Sequence, residues 1–307
     1  MKELPVTLAD DWTEEQRAEF LIKDNVGFGE WNWEELQADW DVEKLGEWGL
    51  DIPQQFIVEP EATEDDYEIP DVIETDIVFG DLFEIGQHRL LCGDSTSVDD
   101  VDRLMGSDKA DMMFTDPPYN VAFNGRSGKF KVIENDNLPE EEFNNFIDGF
   151  LSILEILKPQ TYYICCNWAF YGVMQLKLKP KACIVWAKNV FGLGRGYRHQ
   201  HEFILFDGFI DASIKNESDL WEIPKDTNYK HPTQKPVAIS SRAIKNSSKE
   251  GNIVVDLFGG SGSTMVAAHQ LKRKCYGMEL DPKYCQVIVD RMRKLDPDLV
   301  IKKNGNA

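Results

Sequence analysis

The stretch Asn252-Ile-Val-Val-Asp-Leu-Phe-Gly-Gly-Ser-Gly-Ser-Thr264 decides the fold. Residues 252–258 are a short, mostly apolar run, the pattern of a strand buried on both faces. Glycines at 259, 260 and 262 follow at once. Without a Cβ they let the chain turn tightly and let backbone approach a ligand. Residues from about 262 to 272 then have helical spacing, so the turn opens onto a helix N-terminus. Free N–H groups and positive potential there receive an anionic or polar group. Residues 274–280 (KCYGMEL) form the next apolar run, and Glu279 near its end stands 19 residues beyond Gly260. An acid at about that distance holds a ribose hydroxyl in nucleotide-binding strand–turn–helix–strand units. No Gly-Lys-Ser/Thr follows the glycines, so the turn is not a phosphate P-loop.

The pattern continues outward from this unit. Residues 110–116 (ADMMFTD), 161–166 (TYYICC), 182–187 (ACIVWA) and 202–206 (EFILF) read as strands, and DIVFGDLFEIGQHRLLCGD, from residue 76, as a strand pair ending at a turn. Residues 140–157, 235–247 and 281–295 have helical spacing, the first stopping before Pro159. Alternating strands and helices predict an α/β domain with a mostly parallel sheet flanked by helices.

A second motif, Thr115-Asp-Pro-Pro-Tyr-Asn120, falls at the carboxyl end of one of these strands. Two prolines after an acid make a stiff loop with few backbone donors. Such a loop presents two acceptors, the Asp116 carboxylate and the Pro117 carbonyl, to one amino group. Tyr119 beside Pro118 offers a face on which a base taken out of a duplex can stack.

Together these residues resemble the S-adenosylmethionine-dependent DNA amino-methyltransferases, in which Asp-Pro-Pro-Tyr is the catalytic signature and a Phe-x-Gly-x-Gly turn binds the cofactor. The catalytic motif precedes the cofactor motif by 142 residues, counted from Asp116 to Phe258, an order that resembles the β class. The resemblance spans residues 77–295 and implies a Rossmann-like methyltransferase fold. It implies Asp116, Pro117, Pro118 and Tyr119 as catalytic. It implies Asp94, Lys235, Asp256, Phe258, Gly260, Gly262, Ser263, Thr264 and Glu279 at the cofactor. Gly93-Asp94 resembles the segment lining the cofactor's adenine. His231-Pro-Thr-Gln-Lys-Pro236 resembles the segment at its methionine end. Trp186-Ala-Lys188 and the run from Arg195 to Glu202 resemble the region facing the target base. Aspartate at 116 points to adenine N6, since serine is commoner in the cytosine-N4 enzymes. Cytosine N4 methylation and a catalytically silent, cofactor-binding adaptor are the alternatives, the intact Asp116 and Tyr119 arguing against the second. The segment available for recognition, about residues 208–230, is short, so relaxed specificity is one expectation.

DNA phosphates are expected to meet Arg126, Lys129 and Lys131 in NGRSGKFK, and Arg195 and Arg198 in GLGRGYR, both glycine-rich and interleaved with aromatics. Double-stranded DNA is the expected partner, and single-stranded DNA is admissible because extrusion of a base costs less there. His199 and His201 lack further ligands at a zinc-like spacing, so no metal is expected.

Charge divides the chain. Residues 1–80 hold 4 of the 33 basic and 24 of the 54 acidic residues, leaving 29 and 30 for the rest. The net charge of −21 thus belongs to an N-terminal appendage, and the near-neutral body is free to bind nucleic acid through local patches. Residues 1–58 are expected to be a small, acidic α-helical unit holding five of the eight tryptophans, with a capping box at Thr13 and Gln16. The rings either pack together or dock a protein partner. The unit resembles the tail of an adaptor joined to a ParB-like domain in some of these methylases, a domain this sequence is not expected to contain. Residues 59–76, with nine acids and no bases, read as a solvated linker, 77–296 as the methyltransferase domain and 297–307 as a flexible tail. The N-terminus lacks a secretory h-region, there is no run of about eighteen apolar residues, and six cysteines show no CxxC pair. A reduced, cytoplasmic chain is expected, and a homodimer is compatible with it.

Overall fold

The computed structural model describes residues 10–27, 31–53, 61–120, 136–192, 196–212, 214, 217–225 and 234–306. The chain forms two compact units, Met1–Pro60 and Glu61–Ala307. The first holds helices α1 (Glu14–Asn25), α2 (Trp33–Asp39) and α3 (Val42–Glu47). Thr13 and Gln16 cap α1 reciprocally, as the capping box requires. Ile22, Leu36, Leu45, Trp48 and Leu50 are its buried core, and Trp31, Trp33 and Trp40 pack against them. In a unit this small the tryptophans themselves supply the core, Trp40 meeting Trp48 edge-on at 6.0 Å. Trp12 is paired instead with the exposed Phe20.

The second unit is built on β1 (Leu82–Ile85), β2 (His88–Cys92), β3 (Met112–Thr115), β4 (Thr161–Cys166), β5 (Ala182–Ala187), β6 (His201–Asp207), β7 (Leu220–Glu222), β8 (Ile253–Asp256), β9 (Lys274–Glu279) and β10 (Ile301–Lys303). They form one sheet in the order β10-β1-β2-β9-β8-β3-β4-β6-β5-β7. From β2 to β4 every pairing is parallel. β6 enters antiparallel between β4 and β5, so the sheet is mixed but mostly parallel. The central strands β3 and β8 are buried throughout, which is why they read as unbroken apolar runs.

Helices cover both faces. On one side α4 (Val98–Met105), α5 (Glu140–Leu157) and α6 (Trp168–Leu178) bury Leu104, Ile147, Phe150 and Met174 against the sheet. On the other, α7 (Val237–Ser247), α8 (Ser263–Gln270) and α9 (Pro282–Leu295) bury Ile244, Val266, Ile288 and Met292. Because parallel strands share a direction, the loops after β2, β3, β4, β8 and β9 all leave from one edge, where ligands collect in open α/β sheets.

Two segments differ from their sequence reading. Residues 297–307, read as a tail, include β10, which pairs antiparallel with β1 through Ile85↔Ile301 and Phe83↔Lys303. It covers backbone groups that an edge strand would leave open. Residues 61–76, read as a solvated linker, are tied to the body through Asp65 and Arg291, Thr63 and Gln270, and Glu64 and Val237. Their acids pair with bases that the body's own helices leave at its surface and in its interior.

His88 is a further tie between neighbouring strands. It is buried; its Nδ1 accepts from the Cys275 N–H at 3.0 Å, and its Nε2 lies 3.1 Å from His269 Nδ1. Burial, and then His269, push its pKa down to about 3. The unfolded chain, with a histidine near pH 6.5, therefore takes up a proton first as pH falls, so the stability present above that value declines towards the folded value. A loss of about 2 kcal/mol between roughly pH 7.5 and pH 5 is expected from this group, measured by urea unfolding, and His88→Gln should flatten it.

Candidate active site

The register of β3 on β8, Met112↔Val254 and Met113↔Val255, brings the two motifs out of the sheet side by side. Their roots are bonded to each other. The Thr115 hydroxyl donates to Asp256 Oδ1 at 2.8 Å and accepts from the Leu257 N–H at 3.2 Å. The Phe258 N–H donates to the same Asp256 oxygen at 3.1 Å. Burial raises the Asp256 carboxyl to about 6 even though Thr264, Thr115 and Phe258 bond to it.

The glycine-rich turn takes its shape from backbone that only glycine adopts without strain. Gly260 has φ +51° and Gly262 φ +86°. A Cβ on Gly262 would also come within 3.1 Å of Ile288. One strand further along, Glu279 closes the turn: its Oε2 accepts from the Gly260 N–H at 2.7 Å and its Oε1 from the Asp281 N–H at 2.9 Å. Burial lifts this carboxyl to about 7 in spite of those donors. Gly93 N–H donates to the Glu279 carbonyl at 3.0 Å, which sets Asp94 beside this acid. The Asp94 Oδ1 is engaged locally, by the Thr96 N–H and hydroxyl at 2.8 Å. Phe258 packs edge-on against Phe146 and Phe150. Ser263 and Thr264 open α8.

In the Asp-Pro-Pro-Tyr loop, Pro117 is buried while Asp116, Pro118 and Tyr119 are partly exposed. The Tyr119 hydroxyl donates to Asp116 Oδ1 and the Lys235 ammonium to Oδ2. Burial and the Asp116 charge raise the Tyr119 phenol well above its ordinary value, so it remains a donor. Lys235 Nζ lies 5.6 Å above the Tyr119 ring and 3.3 Å from Glu202 Oε2, and Glu202 is in turn bonded by Lys188. Burial alone would lower the Lys235 pKa, but Asp116 and Glu202 outweigh it and hold the ammonium charged. Burial likewise opposes ionisation of Glu202, yet Lys235 and Lys188 hold it at about 2. The Lys235 carbonyl meanwhile accepts from the Ser263 hydroxyl at 2.9 Å. Lys235 thus joins the two motifs, main chain to the glycine-rich turn and side chain to Asp116. The resemblance points this side chain to the cofactor; here it is on the Asp116 carboxylate.

Beyond Tyr119, the Asn120 side chain makes two bonds to the Leu138 backbone, at 2.7 and 2.9 Å. Arg126, Lys129, Lys131, Arg195 and His231 lie outside the described residues. The Arg198 guanidinium is bound by its own loop, to the Gly192 carbonyl at 2.9 Å, and sits over the Phe191 ring. Sequence reasoning did not single out Glu202 or Trp168 as site residues. Glu202 is the second residue of β6, next to the apolar stretch Phe203–Phe206. Trp168 follows the end of β4 and is 60% exposed, stacked on His199 at 5.6 Å.

Comparison with known proteins agrees with this architecture. Residues 210–290 match the profile of the family described as DNA methylase, N6_N4_Mtase. The chain is 30% identical over 243 residues to the type II methyltransferase M.HpaI of Haemophilus parainfluenzae, covering 66% of this chain and 74% of that protein. It is 24% identical over 226 residues to the type II methyltransferase M2.MboI of Moraxella bovis, covering 62% and 82%. The fold is shared with the solved PvuII DNA methyltransferase (cytosine-N4-specific), at a TM-score of 0.51 and 16% identity over 70% of this chain and 88% of that one. The chain belongs to the S-adenosylmethionine-dependent DNA amino-methyltransferases, the N6/N4 DNA methylases.

Thr115→Val keeps the side-chain volume but removes the hydroxyl that joins the motifs. It should cost about 1–3 kcal/mol of unfolding free energy, read from denaturant titration, because a buried carboxylate loses a donor.

Proposed function

We propose that this protein methylates the N6 amino group of adenine in DNA, with Asp116, Pro117, Pro118 and Tyr119 as the catalytic loop. The observation that carries the reading is the direct bonding of that loop to the glycine-rich turn, through Thr115 and Asp256 and again through Lys235 and Ser263. The donor set suits the cofactor: Glu279 as acceptor for ribose hydroxyls, Gly260 and Gly262 as the turn, and Asp256, Phe258, Ser263, Thr264 and Asp94 around it. Bound S-adenosylmethionine supplies an electrophilic sulfonium methyl group.

The exocyclic nitrogen of adenine is a poor nucleophile because its lone pair is delocalised into the ring. The Asp116 carboxylate and Pro117 carbonyl accept its two hydrogens and favour a pyramidal nitrogen with an available lone pair. Positioning of this kind is worth roughly 7–11 kcal/mol of barrier at its best. Tyr119 supplies a face for the base, at about 1–3 kcal/mol per stacked base. The Lys235 ammonium occupies both the second Asp116 oxygen and the space over the Tyr119 ring, so it yields to an incoming amino group. Glu202 at 3.3 Å is the acceptor to which it turns. Asp116 then takes the proton that the amino group sheds.

DNA is held from the same edge of the sheet. Trp168, His199 and the fully exposed Tyr197 present rings, and Arg126, Lys129, Lys131, Arg195 and Arg198 are the proposed phosphate contacts. Double-stranded DNA is the substrate proposed, with single-stranded DNA also accepted. Among the described residues no helix is long and apolar enough to cross a membrane; a cytoplasmic enzyme, a homodimer and a protein partner for the tryptophan-rich unit are part of the same proposal.

Digestion of methylated DNA to nucleosides should yield N6-methyl-2′-deoxyadenosine; N4-methyl-2′-deoxycytidine would replace this assignment with the cytosine one. Asp116→Ala should lower methyl transfer by about 10²–10⁴-fold with cofactor binding unchanged by calorimetry. Since Glu279 titrates at about 7, its carboxylate accepts ribose hydroxyls better as pH rises through that value. Cofactor affinity should therefore increase from about pH 6 to about pH 8, and Glu279→Gln should abolish that dependence.

A further inference from the structure

The acidic segment that precedes the sheet makes a series of specific contacts with the helices behind the glycine-rich turn. Thr63 N–H donates to Gln270 Oε1 at the end of α8, at 2.7 Å. Glu64 Oε1 accepts from the Val237 N–H, the first of α7 and two residues beyond Lys235. Asp65 grips the Arg291 guanidinium with both oxygens, at 2.7 and 2.9 Å. Lys294 Nζ donates to the Asp66 carbonyl at 2.8 Å. The third contact differs from the others in burial: the Arg291 and Asp65 side chains are 1% and 6% exposed.

Arg291 does not stop at Asp65. Its remaining nitrogen, Nη1, donates to the Ser261 carbonyl at 2.9 Å and lies 3.4 Å from the Ser261 hydroxyl and 3.3 Å from that of Ser263. Ser261 is the turn residue between Gly260 and Gly262, and Ser263 begins α8 and bonds the Lys235 carbonyl. A bidentate carboxylate fixes the plane of a guanidinium as well as its place. Asp65 therefore sets the direction from which Nη1 reaches the turn. Glycines at 260 and 262 leave that turn with little rigidity of its own, so its shape has to be imposed from outside.

We infer that residues 63–66 are a clasp of the cofactor site, in which Asp65 is a positioning residue: acting through Arg291, it holds Ser261 and Ser263 in the form of the turn that receives S-adenosylmethionine. Glu64 holds the start of α7, and with it the Lys235 segment, by capping its first N–H. The inference rests on the reading of the glycine-rich turn as the cofactor's seat.

The test uses the full chain. Asp65→Asn keeps the shape of the side chain and removes its charge. Cofactor Kd by calorimetry, and KM for S-adenosylmethionine, should rise about tenfold, the order by which loss of a partner behind a binding group weakens a site. The kcat at saturating cofactor and the KM for DNA should stay as in the parent, and Asp65→Glu should recover part of the affinity. Glu61→Gln, outside the clasp, removes only the exposed pair with Lys245 and should leave the Kd unaltered. Arg291→Lys retains a cation for Asp65 but not the reach to Ser261, and should show the same cofactor loss should Asp65→Asn fail to fold. A merely structural pair would lower the melting temperature equally with and without cofactor; the clasp requires the cofactor-induced rise to shrink. Unaltered cofactor affinity in folded Asp65→Asn or Arg291→Lys overturns the clasp alone. A parent chain that does not bind S-adenosylmethionine overturns the cofactor reading, and the clasp with it.

Discussion

The hydrogen bond between the Thr115 hydroxyl and the Asp256 carboxylate is the constraint on which the rest of the site depends. It exists because β3 and β8, separated by more than a hundred residues of chain, are neighbours in one parallel sheet. Parallel register brings both strand ends to the same edge, and a single short side chain then locks one loop to the other. A shift of one residue in that pairing would send Thr115 to the opposite face of the sheet and separate the loops. The buried strands that make the pairing stable also make it dry, which is why Asp256 and Glu279 resist ionisation.

Charge in the site is arranged as an alternating series: Asp116, Lys235, Glu202, Lys188. Each of the inner groups has a neighbour of opposite sign on either side, and that compensation keeps buried Lys235 and Glu202 ionised. The Lys235 cation that sits on Asp116 also has Glu202 as a second acceptor, at 3.3 Å. Lys235 serves both motifs, its carbonyl bonded by Ser263 at the glycine-rich turn and its ammonium on Asp116.

Much of the fold was legible along the chain. Helix α5 matches its sequence span, as do β4 and β5, because their apolar spacing and stops are local properties. Helix α6 was not foreseen: Trp-Ala-Phe-Tyr-Gly-Val-Met has apolar residues nearly all round and no stripe of helical period. The strand β10 was hidden because Ile301–Lys303 carries too short a pattern, and it acquires meaning only beside β1. Acids at 61–76 look the same in sequence whether they face water or a buried guanidinium, so the contacts of Asp65 and Glu64 were invisible there. Glu202 was within a segment of interest, but nothing local tells a surface acid from one between two lysines.

Most of the alternation of strands and helices and the two loop motifs with their acceptor and glycine residues were therefore determined by sequence alone, since they follow from short-range periodicity and from side-chain chemistry. The tertiary structure decided which charges meet: Lys235 with Asp116 and Glu202, and Arg291 with Asp65 and the serines of the turn. These partners lie between 28 and 226 residues apart. Electrostatic and hydrogen-bond energies depend on distance and burial in space, and neither is encoded in the separation of residues along the chain.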